Sequence, residues 1–127
     1  MLRKFASVLF LLTALVIALG ALGHDSHAAR LAIELGGQPL DAHEVKVIIL
    51  VWHFAGACMI VFGALCVWAW WRARRGERGA FFVSDLVGLL YIVTGLLSVW
   101  YSGIAFFWLF FALGALLIIT SLPLRRA

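Results

Sequence analysis

Four histidines, His24, His27, His43 and His53, are the side chains of this sequence best suited to proton transfer or metal ligation near neutral pH. His24 and His27 flank Asp25, and His43 precedes Glu44. A zinc or copper site needs three or four N, O or S ligands in close geometry, which His24, His27, His43 and Glu44 could supply by converging on one divalent metal. Their spacing matches no sharp metal motif, and solvated loop histidines are the plainer reading. His53 differs, because it stands well inside a long apolar run. Lipid neither solvates charge nor supplies hydrogen bonds, so an ionisable side chain at that depth is a candidate functional group by default. Lys46 and His53 are seven residues apart and share a helix side with Gly56, Ile60 and Gly63. That side is expected to face the interior of a helix bundle, with His53 about one-third of the way across from the outer surface. The structural alternative is a neutral imidazole bonded to a serine, to Tyr91 or to a backbone carbonyl. The functional one is a proton relay, a quinone or haem contact, or a metal ligand.

Tyr91 belongs to a second pattern. Ser84, Gly88, Tyr91, Gly95, Ser98 and Ser102 form one stripe at helical spacing. Small, weakly polar residues at that spacing let helices approach closely, and packing is the favoured reading. The alternative is a polar-lined path with Tyr91 as hydroxyl donor. Asp85, the one acid within an apolar run, is expected to pair with the basic loop 72–79. Cys58 and Cys66 lie about 12 Å apart along one helix, too far for a disulfide. No nucleophile with a paired base, phosphate loop, carboxylate pair or paired-cysteine metal motif is visible. The expectation is a protein that is not an enzyme and needs no cofactor; haem or a divalent metal is the alternative.

The elements that position these groups follow from composition. The 127 residues are 65% hydrophobic and 13% charged, whereas soluble domains are about half apolar and a quarter charged. The lipid bilayer must therefore solvate most of the surface. Apolar runs at about 5–23, 45–71, 80–102 and 104–122 predict an all-α membrane protein, a single transmembrane domain built as an antiparallel four-helix bundle. The loop 24–44 should carry a short surface helix over 29–35. Asp41 and Glu44 form a capping-box pattern that starts the next helix before the membrane does. Ser102-Gly103 turns the last two helices into a tight hairpin.

Basic residues cluster at Arg3-Lys4, in the loop 72–79 and at Arg125-Arg126, so the positive-inside rule puts both termini in the cytoplasm and the loop 24–44 outside. A bacterial-type inner membrane fits this arrangement. The net charge of +4 thus describes topology, and no basic soluble surface is present to take nucleic acid. Trp68, Trp70 and Trp71 at one end, and Phe106, Phe107 and Trp108 at the other, suit aromatic belts. Ser26-His27-Ala28 would permit signal-peptide cleavage after Ala28. The full spanning length of 5–23 and its seam of Ser7, Ala14 and Ala21 favour a retained helix.

A His closing the first helix (His24), a variable outer loop, and the run Val47-Ile48-Ile49-Leu50-Val51-Trp52-His53 resemble a group of small bacterial four-helix membrane proteins with a Trp-His pair in the second span. That group has no assigned activity, so the likeness directs attention to His24 and His53 without implying a role. Small multidrug-resistance exporters carry a glutamate in their first helix, where 5–23 has no acid. The serine, arginine and histidine pattern of succinate dehydrogenase anchors is also missing. The functional expectation is a multi-pass protein acting through a membrane partner or as a homo-oligomer. The alternatives are a redox- or metal-linked protein using His53 with His24 or His43, and a small oligomeric transporter or channel.

Overall fold

A computed structural model describes residues 1–125; Arg126, part of the C-terminal basic cluster, lies outside the described residues. Five α-helices run in the order α1 (Leu2–Ser26), α2 (Ala28–Gly36), α3 (Ala42–Arg74), α4 (Phe81–Ser102) and α5 (Trp108–Arg125). The four long segments are each long and apolar enough to cross a membrane, with α2 continuing the first of them. They pack antiparallel in a ring, α1 beside α3, α3 beside α4, α4 beside α5 and α5 back beside α1. The short surface helix expected over 29–35 is α2, which lies against α3.

Local chemistry explains where each helix begins and ends. Asp41 Oδ1 accepts hydrogen bonds from the backbone N–H groups of His43 (2.7 Å) and Glu44 (2.8 Å). Glu44 Oε2 accepts the Asp41 N–H in return at 2.9 Å, completing the capping box. At 33 residues, α3 is about 50 Å long, well beyond the ~30 Å of a hydrocarbon core. It stops at Gly76, whose φ of +99° only glycine adopts readily. Gly103 (φ +68°) ends α4 in the same way, donating its N–H to the Val99 carbonyl at 2.8 Å. A single 3-10 turn, Ala105–Phe107, then leads into α5, so the last helix begins later than residue 104. It also ends later than 122, running through Pro123 to Arg125. A proline so near a helix end removes one backbone hydrogen bond without stopping the final turn.

Small residues hold the helices together. A methyl group added at Gly63 of α3 would sit 2.7 Å from the Ala14 carbonyl oxygen of α1 and 2.6 Å from the Ala18 methyl. One added at Gly95 of α4 would sit 2.6 Å from the Phe111 nitrogen of α5. Backbone-to-backbone approach of this kind drives helix association in lipid, where burial from water cannot. The core between the pairs holds Phe10, Ile17, Cys66, Phe81 and Leu117, with Phe10 edge-on to Phe81 at 5.2 Å. Outward faces are apolar on every long helix, as Leu19, Leu50, Phe54, Leu89 and Ile119 illustrate. Water would not tolerate such a surface, and lipid requires it.

Candidate functional site

At the end of α1, His24 and Asp25 meet Trp52 and His53 of α3. The His24 and Trp52 rings stack, with centroids 4.1 Å apart and planes within 10°. Each residue also bonds the other's backbone. Trp52 Nε1 donates to the His24 carbonyl at 2.9 Å, and His24 Nε2 lies 2.9 Å from the Trp52 carbonyl oxygen. A carbonyl oxygen only accepts, so His24 Nε2 carries a hydrogen. The His24 carbonyl, in the last turn of α1, also accepts the His27 N–H at 3.1 Å, so the indole is its second donor.

Next to this clamp, His53 Nδ1 stands 3.2 Å from Asp25 Oδ1. The carboxylate seats over Gly56, one turn along α3, where an added methyl would meet Asp25 Oδ1 at 2.7 Å. Glycine at 56 is therefore what lets Asp25 approach α3 closely. With Nδ1 donating to Asp25, a neutral His53 keeps a lone pair on Nε2. No described residue bonds to that nitrogen. A carboxylate that orients an imidazole through one nitrogen leaves the other to accept a proton, a hydrogen bond or a metal.

His53 does not face the bundle interior as its helical spacing suggests. Its side chain is 53% exposed and that of Asp25 43%, on the rim between α1 and α3. The buried face of α3 runs through Gly56, Gly63, Cys66 and Ala69, and the helix rotation that buries it leaves His53 on the flank, where Asp25 of α1 meets it. Trp70 Nε1 donates to Ser7 Oγ at 2.8 Å near the opposite ends of the same helices. Seventeen residues separate Ser7 from His24 and eighteen separate Trp52 from Trp70, which puts the two ties about 26 Å apart. That is close to the thickness of a hydrocarbon core.

The remaining candidates disperse. His27 is the exposed junction residue between α1 and α2. His43 and Glu44 stand in the first turn of α3, with the Glu44 carboxylate engaged in the capping box. Among the described residues no three His, Cys, Asp or Glu side chains gather as a metal-ligand group, so His24, His27, His43 and Glu44 are not assembled as one. Tyr91 is buried in the α3–α4–α5 core, only 4% exposed, with its ring stacked on Phe110 at 5.5 Å. Its hydroxyl has no partner among the described residues. The stripe it belongs to packs against α5 from Gly88 to Gly95. Cys58 and Cys66 are both free thiols.

Asp85 is paired, but with a different cation from the one its neighbourhood in sequence implies. Arg125, not the 72–79 loop, forms the ion pair. Arg125 Nη2 also donates to Ser121 Oγ at 3.0 Å and to the Phe81 carbonyl at 3.3 Å, and Ser121 Oγ donates to Asp85 Oδ1 at 3.2 Å. Within the loop, Arg72 pairs with Glu77 instead. The α4–α5 hairpin brings the end of α5 beside the start of α4, a proximity that sequence distance hides.

Two contacts of the candidate site escape sequence reasoning altogether, Asp25 with His53 and Trp52 with His24. A signal existed in the matched separations, with polar or aromatic residues near both ends of α1 and their complements at nearly the same spacing on α3. The fold and apolar exterior define a multi-pass membrane protein with four spans. No protein-family model, curated protein or solved structure matches the chain.

Proposed function

We propose that this is a non-enzymatic, multi-pass protein of a bacterial-type inner membrane that works by engaging a membrane partner or a second copy of itself through the Asp25–His53 rim. The observation that carries the reading is the half-exposed contact between His53 Nδ1 and the Asp25 carboxylate on the rim between α1 and α3. The bundle interior is closed by side chains and backbone, whereas these polar groups look outward beside exposed Phe54 and Leu22. Polar groups at an apolar surface are stabilised when a partner supplies the missing hydrogen bonds. Both termini lie in the cytoplasm on this reading, supported by the gathering of Arg3, Lys4, Arg74 and Arg78 at one end and of His24 and Asp25 at the other.

The test is the size of the protein in native membrane extracts and in lipid nanodiscs. The wild type should run as a complex, either of copies or with a second protein. Asp25→Ala and His53→Ala should reduce it to the single chain while helicity is kept. A wild type that is solitary in both settings would sink the proposal.

One observation favours a second reading, a redox- or metal-linked role. The carboxylate-oriented imidazole with an unbonded Nε2 is the arrangement that metal-binding and proton-carrying histidines use. Further ligands would have to come from the partner. An absorption spectrum and metal analysis of the purified complex decide it, since a colourless, metal-free complex that depends on His53 leaves only the first reading.

A further inference from the structure

The opposite end of the bundle holds a feature independent of the His53 rim. Between the start of α1 and the end of α3 lies an open cavity of about 850 Å³, within the ~300–1,000 Å³ range of small-molecule sites. Four cations line it: Arg3 and Lys4 from α1, Arg74 from α3 and Arg78 from the 3-10 turn that follows. No acid lines it, and none of the four forms an ion pair among the described residues. The acids of this end are engaged elsewhere, Glu77 with Arg72 and Asp85 with Arg125. Ser7 and Trp70 contribute the hydrogen-bonded pair already described, and the Arg74 guanidinium lies over the Trp70 ring at 4.9 Å.

Four exposed cations gathered with no acid among them concentrate a positive potential that attracts an anion. The cavity walls say which anion. Val8 and Leu12 line it while remaining more than half exposed on the outer flank of α1, so the basic pocket runs directly into lipid-facing surface. A free phosphate has no use for that flank, but acyl chains do. Basic pockets between spanning helices at a membrane surface suit anionic lipid headgroups.

We propose that this cavity binds the phosphate headgroup of an anionic glycerophospholipid, with its acyl chains lying along Val8 and Leu12 of α1. Arg3, Lys4 and Arg78 bond the phosphate oxygens, and Arg74 is held for the same task by its stack on Trp70. The lipid joins α1 to the α3 end and stabilises the packed bundle by binding it and not the separated helices.

The test uses the full chain purified in neutral detergent. Native mass spectrometry with equimolar phosphatidylglycerol and phosphatidylcholine should show phosphatidylglycerol retained preferentially. The double variant Lys4→Gln/Arg78→Gln should weaken that retention about thirtyfold, taking the usual worth of two basic groups near an anionic surface. Arg75→Gln, which removes a cation stacked on Trp71 and outside the cavity, should leave retention unchanged. Millimolar inorganic phosphate should not displace the lipid. Equal retention of the two lipids, an equal loss in Arg75→Gln, or full displacement by phosphate each overturns the proposal. The last result would identify a free anion as the ligand. Should the double variant fail to fold, the wild type alone decides: phosphatidylglycerol must raise its unfolding temperature above the value in phosphatidylcholine, and no difference rejects the site.

Discussion

Trp52 and His24 each use a ring nitrogen on the other's backbone carbonyl, so neither helix can slide along the other without losing both bonds. Trp52→Phe keeps a ring for the stack but removes the Nε1 donor. It should lower stability by about 1 kcal/mol or somewhat less, as hydrogen bonds between spanning helices do, and thermal unfolding in detergent measures it. A loss many times larger would mean that the indole holds more than this clamp. Tyr91 is the converse case. Its buried hydroxyl has no partner, and leaving such a group unbonded costs about 1–3 kcal/mol. Tyr91→Phe should therefore be neutral or stabilising by the same assay, whereas a clear destabilisation would reveal a bond to the hydroxyl. Arg125→Gln leaves the Asp85 carboxylate at the α4–α5 junction without its counter-charge. Because both groups are about one-third exposed or less, the expected cost is about 1–3 kcal/mol, below that of a fully buried pair. Asp85→Asn in the same background should recover part of it.

Helix pairs differ in what sets their spacing. Along α1–α3, Gly63 presses on the α1 backbone, so Gly63→Ala forces the two axes apart. Gly20 on the same interface faces only the terminal methyl of Met59, at 2.8 Å from an added methyl, and that flexible side chain can move. Gly63→Ala should destabilise by about 1–3 kcal/mol, while Gly20→Ala should be near neutral because better helix propensity offsets a small repacking. Equal effects in the two variants would refute this account of the seam. The tryptophans near the end of α3 contribute differently. Arg72, Arg74 and Arg75 each lie over the ring one turn earlier, Trp68, Trp70 and Trp71, with Arg75 closest at 3.8 Å. These stacks are worth about 0.5–1 kcal/mol each when exposed.

For the molecule as a whole, the question is whether α1 stays. Ala6, Phe10, Thr13, Ala14, Ile17 and Ala21 of α1 are buried, and Phe10 and Ile17 belong to the shared core. Cleavage after Ala28 would expose the small-residue face of α3, strip Trp70 and Trp52 of their partners and remove Asp25 from His53. The mature protein in membranes should therefore keep the mass of the chain with residues 1–28 in place, as intact-protein mass spectrometry would read directly. A product beginning at residue 29 would remove the clamp and the basic cavity together.

Span number, the short surface helix, the capping box at Asp41 and the small-residue seams were all legible in the order of residues. Each rests on interactions within a few residues or on a repeating pattern that one helix carries by itself. Partner choice was not legible, because it depends on which helices lie side by side and at what register. Sequence neighbourhood assigns Asp85 to the basic loop, yet the closing of the α4–α5 hairpin puts Arg125 nearer. Helical spacing directs His53 inward, yet α3 buries the face through Gly56, Gly63 and Cys66, and His53 is left on the rim beside Asp25. Composition alone determined that this chain lives in lipid, since so apolar a surface has no other solvent. Only the packed bundle decided that His53 looks out of the protein instead of into it, because the rotation of α3 is set by which of its faces meets α1.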